Sequence, residues 1–122
     1  MDIQKLINEA VEYKNAGKLV SALSCYNAVM DQLCSEAAEY ARSQPDSYFD
    51  IGDERRFTTK YFEYADSYLE RDGVASVVSN NMGVIFAELK DFENAKKTFA
   101  ESIKYTPGGM DYPDPKINIQ NL

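Results

Sequence analysis

Apolar side chains along most of this chain return at every third or fourth position, the spacing that lines one face of an α-helix. Ile3, Leu6, Ile7, Ala10 and Tyr13 make the first such face. Gly17 is where that helix should stop, because glycine takes the left-handed backbone of a C-terminal cap without a steric cost. Leu19, Ala22, Leu23, Tyr26, Val29, Met30, Leu33, Ala37, Tyr40 and Ala41 then carry the same spacing onward without a break. They predict an unusually long second helix, ended by Pro45. Residues 45–53 (PDSYFDIGD) mix proline, glycine and aspartate, the chemistry of a turn-rich loop, and place Asp53 to cap the next helix. The third helix carries Phe57, Tyr61, Tyr64, Ala65 and Tyr68 on one face and closes at Asp72-Gly73. A fourth carries Val74, Val77, Val78, Met82, Ile85, Phe86 and Leu89. Asp91 caps a fifth, with Phe92, Ala95, Phe99 and Ile103 inside and Pro107-Gly108-Gly109 as its stop. Met110 to Leu122, rich in proline and asparagine, reads as an extended tail. No stretch alternates with period two, so no sheet is expected and the fold class is all-α, with about five helices.

Length and composition keep that picture and narrow the function. A chain of 122 residues, 44% hydrophobic and 27% charged, suits one core, and burial of roughly two-thirds of its unfolded surface needs no metal or disulfide to support it. The net charge of −7 opposes nucleic-acid binding, which draws its affinity from clustered Lys and Arg. Arg55-Arg56 and Lys96-Lys97 are too short to reverse that and read as solvated helix surface. No apolar run reaches about 18 residues, and Met1-Asp2-Ile3-Gln4-Lys5 leads into an amphipathic stretch, so neither a membrane span nor a signal peptide is expected. Cys25 and Cys34 fall on one predicted helix, separated by about 13 Å of rise, too far for a bridge. Free thiols point to a reducing compartment, with the cytoplasm as the default.

Catalysis has little to work with. The chain has no histidine to serve as a base near neutral pH and no glycine-rich phosphate loop. Asp50, Asp53 and Glu54 lack the spacing of a calcium loop. No catalytic residue, metal ligand or cofactor site is therefore assigned. Tyr48 and Phe49, placed in the loop, either anchor a partner or fold down over the second helix.

Two segments obey one template. Asn81-Met82-Gly83-x-x-Phe86, Asp91-Phe92-x-x-Ala95-x-x-x-Phe99 and Pro107 form one; Leu6-x-x-x-Ala10-x-x-Tyr13-x-x-x-Gly17-x-Leu19-x-x-Ala22-Leu23-x-x-Tyr26 form the other. Both resemble the tetratricopeptide repeat. The template sets Ala10 and Gly83 where the paired helices approach most closely, with Tyr13, Tyr26, Phe86 and Phe99 filling the space around them and Ala22 and Ala95 keeping the second helix near. The resemblance covers residues 3–36 and 76–109 and implies antiparallel helix pairs stacked as a short right-handed superhelix over residues 1–109. Residues 37–75 form a degenerate middle, and 110–122 the extended tail. Such arrays usually close with a polar-faced helix. Without one here, the tail lies over the last repeat, or the protein dimerises through that face, or the chain is cut from something longer.

In this family the first helices of successive repeats line a concave groove for a peptide or a partner's helix. Carried over, that surface comprises Gln4, Ile7, Asn8, Val11, Lys14 and Asn15, together with Val77, Asn80, Asn81, Val84 and Glu88. Asn8 and Asn81 are the foremost candidates, since an amide both donates to and accepts from a peptide backbone; the competing reading is a structural hydrogen bond between helices. With Lys14 the one cation among apolar neighbours, the cationic carboxylate clamp of some relatives is absent, and apolar and backbone contacts are expected to dominate. The implied function is a protein-interaction module, an adaptor or scaffold. The alternatives are a structural homodimer and a microtubule-interacting-and-trafficking type of helical domain, whose first hairpin has a similar Ala-x-x-Tyr-x-x-x-Gly signature.

Overall fold

A computed structural model describes residues 2–122. The first helix, α1 (Ile3–Asn15), starts at Asp2, whose carboxylate accepts the Lys5 N–H at 3.1 Å. It ends as its glycine predicts. Gly17 has φ +76°, the Lys18 N–H returns to the Tyr13 carbonyl at 2.8 Å and the Gly17 N–H to that of Lys14 at 3.0 Å, the paired bonds of a Schellman cap. The second helix, α2 (Leu19–Arg42), runs for 24 residues. Nothing before Pro45 interrupts its apolar face, and Ala22, Tyr26, Val29, Leu33, Ala37 and Ala41 are all buried.

That length lets α2 serve two neighbours. Its first half pairs with α1, and its second half runs antiparallel to α3 (Thr59–Glu70). The direction follows from the contacts: Glu36 receives the Tyr68 hydroxyl at 3.0 Å, while Tyr40, one turn further on, meets Tyr64 edge-on at 6.4 Å. The last hairpin consists of α4 (Val74–Glu88) and α5 (Phe92–Lys104). Gly83 of α4 lies against Phe99, and Ser76 against Ser102 further from the turn, so these helices also run antiparallel. Asp91 caps α5 by accepting the Asn94 N–H at 3.3 Å. Ala10, Val29, Ile85 and Tyr26, from three different helices, are at most 1% exposed and belong to one core cluster. Burying a side chain of that class contributes roughly 1.5–3 kcal/mol.

The all-α reading holds with three corrections. Residues 45–57 are not a plain loop: β1 (Tyr48–Ile51) and β2 (Glu54–Phe57) form an antiparallel hairpin, Tyr48 opposite Phe57 and Ile51 opposite Glu54. Gly52 at φ +62° is followed by Asp53, which does not adopt positive φ, the signature of a type II′ turn suited to the strands' twist. Asp53 thus sits in that turn and Phe57 on a strand; Thr58 precedes α3. Second, the tail is not extended. It forms α6 (Asp114–Gln120), with Pro115 in its first turn, where a missing N–H costs nothing, and with that ring fully buried. This helix packs on α5 and α4, so the last hairpin is covered and the premise of an open apolar end falls. Third, Tyr13 is 37% exposed and does not fill the interior as its counterpart Phe86, half-buried against the core, does.

Candidate functional site

The decisive geometry is the placement of α1 relative to α4. Gln4 and Ile7 line a hollow of about 260 Å³ with Val77, Val78 and Asn81. One turn along, Val11 and Lys14 line a second, of about 210 Å³, with Asn81 and Val84. Beyond it the Lys14 ammonium meets the Glu88 carboxylate at 3.4 Å. Positions rise together along both helices, so α1 and α4 run side by side in the same direction. The residues between the two template segments do not separate them, because α3 is set against the far half of α2.

Tyr26 of α2 is the floor of the second hollow. Its ring is 1% exposed, and its hydroxyl receives the Asn81 amide at 3.4 Å, a long and therefore weak bond. Burial pushes the phenol above its ordinary value, and the Asn81 bond pulls it partly back. The concave surface continues past α4: Val84 and Glu88 line a third hollow, of about 330 Å³, with Phe99 and with Asn118 and Leu122 from the C-terminal segment.

Eight of the residues assigned from the sequence, Gln4, Ile7, Val11, Lys14, Val77, Asn81, Val84 and Glu88, therefore border one continuous groove. Three do not. Asn80 is 5% exposed and is covered by α6, its carbonyl accepting the Asn118 amide at 3.0 Å; the tail expected to be extended buries it. Asn8 is exposed but accepts the Gln4 amide at 3.0 Å and lines no hollow, and Asn15 is likewise exposed outside them. Tyr26 is the residue the sequence reading placed in the core alone. Its signal was present: a hydroxyl stands where the last repeat has Phe99.

The groove is apolar along its walls, with the half-exposed Lys14–Glu88 pair at one end and Asp72 at the other. Asp72 accepts the Val74 N–H at 3.1 Å through one carboxylate oxygen, leaving the other to solvent. Among the described residues, no helix is long and apolar enough to cross a membrane. The chain matches no known family model, no curated protein and no solved structure.

Proposed function

We propose that this protein is an interaction module that holds a segment of a protein partner in the groove between α1 and α4, built on helix pairs that resemble tetratricopeptide repeats. The observation that carries the reading is the side-by-side, same-direction arrangement of two helices that lie far apart in sequence yet obey one template, with apolar residues of both facing a shared hollow. A preformed concave strip with few polar groups is the usual form of a recognition site. The chain acts by binding rather than by chemistry. Both cysteines are free, and burial pushes both thiols above their ordinary value, which favours the protonated, weakly nucleophilic form in the cytoplasm, the compartment proposed. The covered face of α4 and α5 gives no support to the dimer alternative.

The test is a comparative pull-down with wild type and an Asn81→Ala, Val84→Glu variant of unchanged helical content. A protein captured by the wild type and lost from the variant supports the groove. Equal recovery by both, or recovery of further bait alone, overturns it.

A further inference from the structure

The hairpin adds little to the core that the helices build. All eight of its strand residues are exposed, the apolar Phe49 and Ile51 by 51% and 58%. Next to the strands, the Thr58 N–H donates to the Ser47 carbonyl at 3.0 Å, which makes Ser47 and Thr58 a hydrogen-bonded pair. Bonded and unbonded pairs alternate along an antiparallel ladder. Phe49–Arg56 and Ile51–Glu54 therefore turn their backbone groups inward, while Tyr48–Phe57 and Asp50–Arg55 turn theirs outward. Among the described residues, no backbone bond from elsewhere reaches those outward groups. Both edges of the hairpin are open, and an open edge is a template for a further strand.

Charge separates the two edges. Laid antiparallel to its own copy, β2 sets Arg55 against Arg55, or Arg56 against Arg56 when Arg55 meets Phe57; a register centred on Phe57 runs into α3. The other edge, β1, carries a single charge, Asp50, which Arg55 already meets at 3.0 Å. Centring β1 on Asp50 opposes that residue to itself, and centring it on Tyr48 opposes Asp50 to Asp46. Centring on Phe49 avoids both. Tyr48 then lies opposite Asp50 of the second copy in a bonded pair, twice over. Phe49 meets Phe49 in the unbonded pair between them, where side chains approach most closely. On the other face the Arg55 guanidinium lies over the Tyr48 ring at 3.8 Å, beside the place that the second copy's Asp50 takes. Pairing β1 with another copy's β2 also matches charges, but it is head-to-tail. Every addition leaves an edge open, and growth gathers chains of net charge −7.

We propose that two copies of this chain join edge to edge through β1, with Phe49 on the twofold axis, to make a four-stranded antiparallel sheet. This surface is separate from the covered face of α4 and α5, uses none of the groove residues and does not rest on the groove reading. Eight strand residues a side is well below a standard interface, so the dimer is a weak one, populated at about 0.1–1 mM. Sedimentation equilibrium of the full chain tests it from about 10 µM to about 1 mM, in about 0.15 M salt to screen repulsion between the chains. A monomer–dimer equilibrium is expected, with concentration-dependent ¹⁵N shifts at Tyr48 to Ile51.

Because Phe49 faces itself, the telling variants are Phe49→Glu and Phe49→Lys. Each alone should weaken association at least about tenfold, through opposed like charges and a lost aromatic pair. Their equal mixture should regain a dimer at concentrations where neither variant self-associates. The same swap at Ile51, which faces Ser47 in this register, should gain nothing on mixing. Equal gains at both positions mean non-specific attraction between opposite charges and overturn the proposal. So does a chain that stays monomeric at about 1 mM, or a mixture that regains no dimer. Species beyond the dimer, or strengthening by Phe49→Glu alone, overturn it too, since both mark head-to-tail pairing with Phe49 beside Arg56. Phe49 and Ile51 are exposed, so circular dichroism of each variant should match wild type, and a dimer regained on mixing excludes loss through misfolding.

Discussion

The two helix pairs follow one template but settle it differently. In α4 and α5 the contact is close enough that a methyl at Gly83 would overlap the Phe99 ring, and Ser76, Ser102 and Thr106 knit the far end through buried hydroxyls, Ser102 donating to the Ser76 carbonyl at 2.6 Å and Ser76 lying 2.8 Å from the Thr106 hydroxyl. In α1 and α2 the positions corresponding to Gly83 and Phe99 are Ala10 and Tyr26. The helices leave room for a methyl, and a hydroxyl sits where the other pair has only ring. One pair is closed on itself and further covered by α6; the other brings a polar group to the floor of a groove. A shared pattern therefore predicts how helices pair, while the departures within it mark where a polar group reaches a hollow instead of the interior.

The largest effect tests the closeness of the two contacts. Alanine is the better helix former by about 1 kcal/mol, so propensity alone would have Gly83→Ala stabilise the protein. Phe99 is 1% exposed and its ring would have to shift, and overpacking of that kind costs about 1–3 kcal/mol. Urea unfolding is expected to show a net loss of about 1–2 kcal/mol, recovered in part when Phe99→Leu is added. In the other pair the reverse change, Ala10→Gly, should lose about 1 kcal/mol through propensity. A stabilising Gly83→Ala would mean that the last pair is no tighter than the first.

A second effect separates the pairs by pH. Tyr26 has its folded-state value raised above the ordinary 10.0, first by burial. The sign follows from linkage: its contribution is fully present below pH 10 and is lost as pH rises through the folded value, because the unfolded chain gives up the proton first. Phe99 has no such dependence. Tyr68, Tyr105 and Tyr112 are raised too, each chiefly by burial, so Tyr26→Phe removes only part of the alkaline loss. Near neutral pH the variant should lie within about 1 kcal/mol of wild type, since the bond it loses is long. Above pH 10 the gap should close or invert. Unfolding curves that stay parallel between pH 8 and 11 would place the Tyr26 hydroxyl in water rather than in the core.

How far the sequence reaches differs across the molecule for physical reasons. The helices α1 to α5 are legible because each buries a stripe that recurs with the helical period and is bounded in the sequence by a glycine, proline or aspartate. The hairpin was not, although Ile51-Gly52-Asp53-Glu54 has the turn chemistry for it. All eight of its strand residues are exposed, so no alternation of buried and solvent-facing side chains betrays it. The short helix α6 buries few residues, Pro115 and the half-buried Asn118 and Ile119 among them, below what a periodic pattern needs to stand out. That miss spread to the groove: with α6 unseen, Asn80 looked as open as Asn81. The two helices whose residues border the hollows are legible because both are strongly patterned. The Tyr26 hydroxyl beneath the hollows is not legible in the sequence, because a tyrosine on a buried helix face usually serves packing.

The smallest effect concerns the ends of α1 and α4. Both helices close with the same pair of bonds, since the Asp91 N–H returns to the Phe86 carbonyl at 2.8 Å and the Lys90 N–H to that of Ala87 at 3.0 Å. The left-handed position is Gly17 in the first pair, at φ +76°, but Lys90 in the last, at φ +60°. An L residue held there costs about 1–2 kcal/mol, and glycine gives back about 0.5–1 kcal/mol through the freedom it adds to the unfolded chain. Lys90→Gly should therefore stabilise the protein by about 0.5–1 kcal/mol, a few degrees in Tm for a chain of this length. Gly17→Lys should lose a similar amount, since open space lies around Gly17 and the penalty is the backbone's alone. If Lys90→Gly is neutral or destabilising, the lysine side chain contributes something at that turn that Gly17 does not. The two caps would then be alike in their bonds only, and the equivalence of the helix pairs would stop at the backbone.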